Sequence, residues 1–342
     1  MIVACRCLTA EGAALGAADA SPSRQTSPAE FSFYIAGYFM DSSTQYSYIV
    51  IGTPQTQSST SILLPRFGVT NFEPLVAGAK LLVGLDQHGA FVAWNLGDPA
   101  IFETAGLPHV PQWIATDSQG TTYVSILGST SGPTGVEVFP YGATSPSYTI
   151  TNGVPNPGLL AVDGHDNLYV SNGTDIVVFP PGATAPVRTI SQGISNPGLM
   201  AFDKANRLVV YNTGSNAVTV YKPKHRAPLS TITEGINGPS AIAVGPTGTL
   251  FVANFNGNDI TEYDHEGSTL SRTITTDTTA PLMIAVDSKD NLYEFVLGGI
   301  HDRAFLVYTY PHQSLQPSGK AWTFFQPGLY IEQLVPTAGP AW

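Results

Sequence analysis

Short apolar runs separated by turns rich in Gly, Pro, Asn and Asp recur along most of the chain. Residues 158–190 show the pattern clearly, with apolar runs at 158–162, 168–170, 176–179 and 187–190. The runs are short, alternate in polarity and are enriched in β-branched and aromatic residues, which is typical of half-buried strands. We therefore predict four strands here, the first of them innermost, and a connection to the next unit at 191–197.

One phrase with a central Ala occurs five times. Its forms are Gln112-Trp-Ile-Ala-Thr-Asp117, Gly158-Leu-Leu-Ala-Val-Asp163, Gly198-Leu-Met-Ala-Phe-Asp203, Ser240-Ala-Ile-Ala-Val-Gly245 and Leu282-Met-Ile-Ala-Val-Asp287. The successive Ala residues are 46, 40, 42 and 42 positions apart. A repeat of about this length built from short strands is typical of a β-propeller, in which each repeat forms one four-stranded blade. The sequence thus predicts an all-β chain in which the phrase is the inner strand of each blade.

The blades are predicted to form a single β-propeller over residues 31–342, after a disordered leader or linker at 1–30. Clear repeats run from about 112 to 325, and the remainder fits about two further blades. Seven blades are favoured, with six as the alternative because Asp86 and Asp117 are only 31 residues apart. Amino-terminal strand candidates are Phe31–Phe39, Tyr46–Ile51, Ser61–Leu64, Lys80–Asp86, Ala90–Trp94 and Ala100–Glu103. The segment 327–332 resembles an inner-strand entry, so we predict that paired amino- and carboxyl-terminal strands close the ring.

The Ala and the Asp of the phrase both have structural explanations. Inner strands converge on the propeller axis, where a small side chain fits and a Leu would overpack. The Asp precedes a tight turn, where its carboxylate can accept backbone N–H groups. The fourth residue of each turn is one that tolerates a left-handed backbone; these residues are Gly120, Asp166, Asn206, Gly248 and Asp290.

Charge and composition exclude some partners. Charged residues make up 11% of the chain and the formal net charge is -11, which disfavours nucleic acid. The densest basic stretch, Lys222–Arg226, is one short loop. No apolar run is long enough to span a bilayer. Ile2–Cys5 has the form of a bacterial lipobox, so a lipid anchor at Cys5 and an unstructured leader are both open. We expect a monomer located outside the cytoplasm.

The phrases at 163–172 (Asp-x-x-x-Asn-Leu-Tyr-Val-Ser-Asn) and 250–254 (Leu-Phe-Val-Ala-Asn) resemble the NHL and YVTN-type repeats of bacterial extracytoplasmic proteins. The resemblance covers about two thirds of the chain and implies the propeller fold. Propeller lactonases bind a divalent metal through carboxylates about five residues before the end of the inner strand. Here that position holds Gln112, Gly158, Gly198, Ser240 and Leu282, and the seven His lack metal-ligand spacing. We therefore expect no metal and no cofactor.

Several polar residues are candidate site residues. Asn172, Asn212 and Asn254 end second strands on the same face of three blades, where binding and turn formation are both open. His109 and Gln112 belong near the channel mouth. Glu294, His301 and Asp302 break the pattern in the last clear blade, and Glu294 is interpreted as replacing the small residue at Ser171 and Ala253.

Two functions follow from these observations. The first is a non-catalytic binding or scaffold module, which recognises a protein or a glycan through loops on one propeller face. The alternative is a metal-independent hydrolase or lyase at the channel mouth, with Glu294 and His301 as the acid–base pair. As a lone carboxylate, Glu294 is expected to contribute little to stability.

Overall fold

The computed structural model describes the chain in segments. Backbone is described for residues 3–7, 31–41, 44–53, 58–63, 72–77, 81–86, 91–95, 101–103, 110–128, 133–264, 269–275, 281, 283–287, 289–297, 305–317, 322–324 and 329–330. Side chains are described for 111–128, 133–264, 269–275, 281, 283–287, 289–294, 296 and 308–317. Every regular element in these segments is a β-strand. No helix in the described residues is long and apolar enough to cross a membrane.

The first three sheets of the described chain contain the strands up to residue 150. The first sheet holds β1 (Val3–Cys7), β2 (Phe31–Asp41), β3 (Thr44–Thr53) and β4 (Ser58–Leu63), with β29 (Leu329–Tyr330) also paired to β2. The second holds β5 (Phe72–Ala77), β6 (Leu81–Asp86), β7 (Phe91–Asn95) and β8 (Ile101–Glu103). The third holds β9 (Val110–Thr116), β10 (Thr122–Leu127), β11 (Gly135–Phe139) and β12 (Tyr148–Ile150).

Four further sheets follow the same order. They hold β13 (Leu160–Val162), β14 (Leu168–Ser171), β15 (Ile176–Phe179) and β16 (Arg188–Ile190); β17 (Pro197–Phe202), β18 (Leu208–Asn212), β19 (Ala217–Tyr221) and β20 (Ser230–Ile232); β21 (Pro239–Val244), β22 (Leu250–Asn254), β23 (Asp259–Tyr263) and β24 (Leu270–Thr275); and β25 (Met283–Val286), β26 (Leu292–Leu297), β27 (Phe305–Tyr310) and β28 (Trp322–Phe324). All of these strand pairs are antiparallel.

The repeated phrase forms the first strand of each sheet from β9 onwards, which confirms the predicted inner strands. First strands of successive sheets contact one another from β1 through β5, β9, β13, β17 and β21 to β25. Ala115, Ala161, Ala201 and Ala285 are buried, as the predicted close approach of inner strands requires. The all-β propeller class is therefore confirmed.

The chain ends meet at β2, although the number of blades and the closure of the ring stay predictions. Tyr330 pairs with Tyr38 and Leu329 with Phe39, as the predicted pairing of the two ends requires. Strand β1, which lies in the predicted leader, pairs with the other part of the same edge. Residues 8–30 lie outside the described segments, so the domain division at residue 30 also stays a prediction. Strand β5 was not anticipated from the sequence.

The core lies between neighbouring sheets rather than inside any one of them. Between the β13–β16 and β17–β20 sheets, Ala161, Tyr169 and Met200 belong to one buried apolar cluster. The rings of Tyr169 and Phe202 pack edge to face there, with centroids 4.8 Å apart. Each sheet contributes side chains to the apolar clusters on both of its sides. A change in one inner strand therefore affects the packing of two sheets.

Ala201→Leu is expected to lower the free energy of unfolding by about 1–3 kcal/mol, because Ala201 packs against Ile242 and Val244 of the next sheet and added volume overpacks that contact. Urea unfolding followed by tryptophan fluorescence measures the change. Ala205→Leu is the matched control, since Ala205 is exposed in the following turn and its substitution leaves stability almost unchanged. Equal losses in the two variants would contradict the packing explanation.

The antiparallel order gives each sheet two distinct ends. The turns between strands 1 and 2 and between strands 3 and 4 lie at one end, which we call the turn face. The turns between strands 2 and 3 and the connections to the next sheet lie at the other end, the crossover face. Ser118 Oγ donates to Asp166 Oδ2 at 2.7 Å, and this bond joins the turns between strands 1 and 2 of two neighbouring sheets. Such turns therefore lie side by side on one face of the molecule.

Candidate functional site

The Asp that ends the phrase organises the turn face. Asp163 Oδ1 accepts the backbone N–H groups of His165 and Asn167, both at 2.9 Å. The same pair of backbone bonds forms at Asp117, Asp203 and Asp287. The fourth turn residue has a positive φ in each case, as at Asp166, Asn206, Asp290, Gly120 and Gly248. The predicted turn role of these aspartates is confirmed.

Three of the fourth turn residues also reach the preceding sheet, which the sequence analysis missed. Asp166 Oδ1 accepts the backbone N–H of Ser118 at 2.8 Å. Asn206 Oδ1 accepts the backbone N–H of Gly164 at 2.9 Å, and its amide nitrogen contacts His165 Nδ1. Asp290 interacts with Thr247 of the preceding sheet. Residues at this position thus shape their own turn and join it to the neighbouring one.

A tyrosine completes the turn cluster in three of these sheets. Tyr123, Tyr169 and Tyr293 donate their hydroxyls to the second oxygen of Asp117, Asp163 and Asp287. Tyr169 also accepts a hydrogen bond from Arg188 Nη2 at 2.9 Å. Burial, with the charge of Asp163 adding to it, raises the pKa of Tyr169 to about 12. The pKa of Tyr123 is raised further for the same two reasons.

Stability is expected to fall steeply in alkali because the pKa of Tyr169 rises from 10.0 when unfolded to about 12 when folded. The contribution of the neutral hydroxyl is complete below the unfolded pKa and is lost as the pH rises through the folded value, by about 2–3 kcal/mol in all. Urea unfolding at a series of pH values from below 10.0 to 12 measures this loss. Tyr169→Phe should show a shallower decline over that range, and an unchanged decline would contradict the assignment.

Asp290→Asn is expected to raise the free energy of unfolding at neutral pH by about 1 kcal/mol. Asp290 is 4% exposed, and its Oδ1 has no hydrogen-bond partner among the described residues. Burial raises its pKa, against the opposing effects of Thr247 and His312. The sheet β17–β20 already has Asn206 at this position, with a similar positive φ. Thermal unfolding should show a gain that shrinks in acid, where Asp290 takes up a proton; a gain independent of pH would refute the charge argument.

The three candidate Asn residues lie at the crossover face, where they hold the incoming connection. Asn172, Asn212 and Asn254 accept, through Oδ1, backbone N–H groups 16 or 17 residues upstream, at 2.8–3.0 Å. These donors are Asn156, Ser195 and Asn237. Asn212 and Asn254 are 0% exposed, and Asn172 is half-buried. Through Oδ1 the amides therefore join each entering loop to its own sheet, and Nδ2 of Asn172 and of Asn254 also donates within the following turn, to Asp175 and Asp259. A binding role for them stays a prediction.

The structure places Glu294 at a different position of the repeat from the one predicted. Glu294 pairs with Ile284, as Val170 pairs with Leu160 and Val252 pairs with Ile242. It therefore occupies the repeat position of these valines, not that of Ser171 and Ala253 as the sequence interpretation had it. The valines are 0% exposed and Glu294 is 1% exposed. Its Oε2 accepts the Tyr310 hydroxyl at 2.7 Å, so this carboxylate is a buried group between sheets.

The other candidate residues divide between exposed and undescribed positions. Gln112 is exposed, and its Nε2 donates to the Pro111 carbonyl at 3.3 Å. His109, His301 and Asp302 lie outside the described residues, so the proposed pairing of Glu294 with His301 stays a prediction. Among the residues with described side chains, no group of His, Cys, Asp and Glu has a metal-binding arrangement.

The described basic residues are segregated to one face, which the sequence did not reveal. All eight Lys and Arg side chains in the described segments lie at or next to turns of the turn face; they are Arg188, Lys204, Arg207, Lys222, Lys224, Arg226, Lys289 and, in β24, Arg272. The crossover face of the β13–β24 sheets has instead the acidic Asp175, Glu234 and Asp259. The turn face also holds the carboxylates of the repeated phrase, but in the β17–β20 sheet only Asp203 opposes five cations on this face.

Within the described part of the chain, two of these cations are paired and the exposed ones are not. Arg207 binds Asp203, and Arg272 binds Glu262. Lys222, Lys224 and Arg226 are exposed in the turn between β19 and β20, and Lys204 is exposed in the turn between β17 and β18 of the same sheet. The β17–β20 sheet therefore presents a solvent-accessible basic surface.

Exposed apolar side chains lie mainly on the same face. Val187 is 62% exposed, Leu315 53% and Tyr141 45%, and all three lie in or next to turns between third and fourth strands. Phe255, which is 46% exposed, lies on the crossover face. The outer rim of the turn face thus combines cationic and apolar groups, which are the ingredients of a protein-binding surface.

Comparisons with known proteins identify the fold. No family model matches the chain, and no curated protein matches its sequence. Among solved structures, the chain is similar to the WD40 β-propeller domain of Doa1, with a TM-score of 0.58 and 13% sequence identity. The match covers 77% of this chain and 85% of that one. At this identity the similarity shows a β-propeller fold and no particular activity.

Proposed function

We propose that this chain is a non-catalytic scaffold module that binds a protein through loops on one propeller face. The observation that carries the proposal is that buried polar groups form hydrogen bonds within the fold. In the sheets β9–β28, the carboxylates of the phrase and the amides of Asn212 and Asn254 are taken up by hydrogen bonds that hold turns and connections. Exposed apolar and cationic groups then provide recognition at the surface.

The finer features of this proposal come from the sequence. An NHL-like repeat, few charged residues and many hydroxyl-bearing turns favour a location outside the cytoplasm. A protein partner is favoured over a glycan because Val187, Leu315 and Tyr141 are exposed at the rim of one face. We propose a monomer as the working unit, and a lipid anchor at Cys5 as one way of attaching it to a membrane.

One observation favours the alternative, a metal-independent hydrolase or lyase. A carboxylate at a position where other sheets have valine destabilises the fold, since desolvation of a buried charge is unfavourable. Glu294 with its Tyr310 donor is the group that such an enzyme would use. Its 1% exposure supports the scaffold proposal instead, because a substrate needs access to a catalytic group.

Chemical cross-linking in the cells that make the protein, followed by mass spectrometry, tests the scaffold proposal. We expect one protein partner at stoichiometric yield, with cross-links confined to one face. In parallel, purified protein is assayed on lactones, esters and phosphoesters. Turnover that Glu294→Gln abolishes in a protein that remains folded would favour the enzyme and overturn the scaffold.

A further inference from the structure

We propose that the turn face of the β17–β20 sheet docks an acidic protein segment that also carries an apolar side chain. The docking surface is formed by the exposed Lys204, Lys222, Lys224 and Arg226, with Val187 at the edge of the neighbouring sheet. This inference rests on the proposed scaffold function and adds to it a site and a partner chemistry.

The described cations are segregated to the turn face. The whole chain has 14 Lys and Arg against 25 Asp and Glu, yet all eight described Lys and Arg side chains lie towards one face. In the β17–β20 sheet, five of these cations and one carboxylate lie at the turn face. That carboxylate, Asp203, binds Arg207. The exposed cations on this face therefore attract an anionic partner, while the acidic crossover face repels it.

The basic turn between β19 and β20 differs in sequence from the corresponding turns of other sheets. His225 N–H donates to the Lys222 carbonyl at 3.1 Å, as Ala143 does to Pro140 and Ala183 to Pro180. The three turns therefore have the same hydrogen bond. The third position has a positive φ in all of them, 74° at Gly142, 71° at Gly182 and 65° at Lys224. Glycine adopts this backbone freely and lysine does not, so glycine at the third position would make the β19–β20 turn more stable. The corresponding turn between β27 and β28 also has a residue other than glycine there, Gln313 with φ 62°.

The exposed Val187 is the reason to expect an apolar side chain in the bound segment. Val187 is 62% exposed and precedes β16, at the outer rim of the sheet before β17–β20. Its turn lies at the same end of its sheet as the basic turn. A bound segment can therefore place an apolar side chain against Val187 and carboxylates against Lys222, Lys224 and Arg226. Carboxylates pair well with such cations, and Arg can bind them through two parallel hydrogen bonds.

An acidic peptide fits this surface better than a nucleic acid. A nucleic acid needs many phosphate contacts along its length, and here four of the five exposed cations among the described residues lie in one sheet of a chain with a net charge of -11. A short peptide contacts only the local surface, so most of the negative charge of the chain does not repel it. The cationic and apolar groups of this surface can contact acidic and apolar side chains of the same peptide.

The chain itself offers the variant that tests this proposal. Lys222→Pro, Lys224→Gly, His225→Ala and Arg226→Thr together convert the segment 222–226 into the Pro-Pro-Gly-Ala-Thr sequence found at 180–184. Because that sequence already forms the same turn between β15 and β16, the grafted turn should fold and should be the more stable of the two. Lys289→Gln serves as the control, since it removes an exposed cation from the same face at a different sheet.

Binding is measured by fluorescence anisotropy with a labelled peptide of alternating Glu and Leu, its Gln and Leu counterpart, and a single-stranded oligonucleotide. We expect the wild type to bind the acidic peptide with an affinity that falls with salt, and the graft to bind it roughly tenfold more weakly or worse. Lys289→Gln should bind nearly as the wild type does.

Equal affinity for the graft and the wild type, tighter binding of the oligonucleotide, or no binding of the acidic peptide at low salt would each overturn the docking proposal. Repeating the cross-linking experiment with the graft separates this proposal from the scaffold function. A partner retained by both proteins, with its cross-links away from 222–226, would leave the scaffold function intact and refute the docking site alone.

Discussion

Asn254→Ala is expected to lower the free energy of unfolding by about 2–4 kcal/mol. Asn254 is 0% exposed and joins three parts of its sheet. Its Oδ1 accepts the Asn237 N–H at 2.9 Å, and its Nδ2 donates to the Gly235 carbonyl at 2.9 Å and to Asp259 Oδ1 at 2.7 Å. Truncation removes these bonds together and leaves a buried space that water does not readily enter. Urea unfolding followed by tryptophan fluorescence measures the loss.

The same substitution at Asn172 is the matched control. Asn172 makes the corresponding bond to the Asn156 N–H at 2.8 Å, but its side chain is half-buried. Water can therefore replace some of the hydrogen bonds that the amide made, and Asn172→Ala should lower the free energy of unfolding by about 1 kcal/mol. Losses of equal size at the two positions would show that burial does not govern the contribution of this amide.

The repeated phrase allowed the fold class and the inner strands to be predicted, because a propeller imposes the same local demands on every blade. Ala161 and Ala201 are small since inner strands approach closely, and Asp163 ends its strand since a tight turn needs a hydrogen-bond acceptor. These demands act within a few residues, so they leave a visible pattern in the sequence. Strand β5 (Phe72–Ala77) is the first strand of its sheet but lacks the phrase, and for that reason it was not predicted.

The long-range roles could not be predicted in the same way. Asp166 has an evident turn function, but its bond to Ser118 joins residues 48 positions apart and depends on how two sheets pack. Likewise, Lys204 and the segment 222–226 belong to different turns, and only the antiparallel order places both at one end of the sheet. In the sequence, Lys222–Arg226 is only one short basic loop, whereas the fold combines it with other cations.

Glu294 shows how a small error of register changes a functional interpretation. Counting from the small residues of neighbouring repeats placed it one position away from the valine row that it occupies in the structure. The difference reverses the expectation for stability, because the argument that a lone exposed carboxylate contributes little does not apply to a group that is 1% exposed. The bond from Tyr310 is one of the interactions that make this burial tolerable.

Tyr310→Phe should lower the free energy of unfolding by about 2–3 kcal/mol, because it removes a hydroxyl donor from the buried carboxyl group of Glu294. The ring itself is not at issue, since Phe139 and Phe179 fill the same repeat position in two other sheets and are 1% and 0% exposed. Tyr221→Phe is the control: the Tyr221 hydroxyl donates at 2.8 Å to the neutral Gln192 carbonyl, so its removal should cost only about 1 kcal/mol. A double-mutant cycle with Glu294→Gln isolates the bond between the two side chains, and additive losses in that cycle would contradict the coupling that the 2.7 Å distance implies.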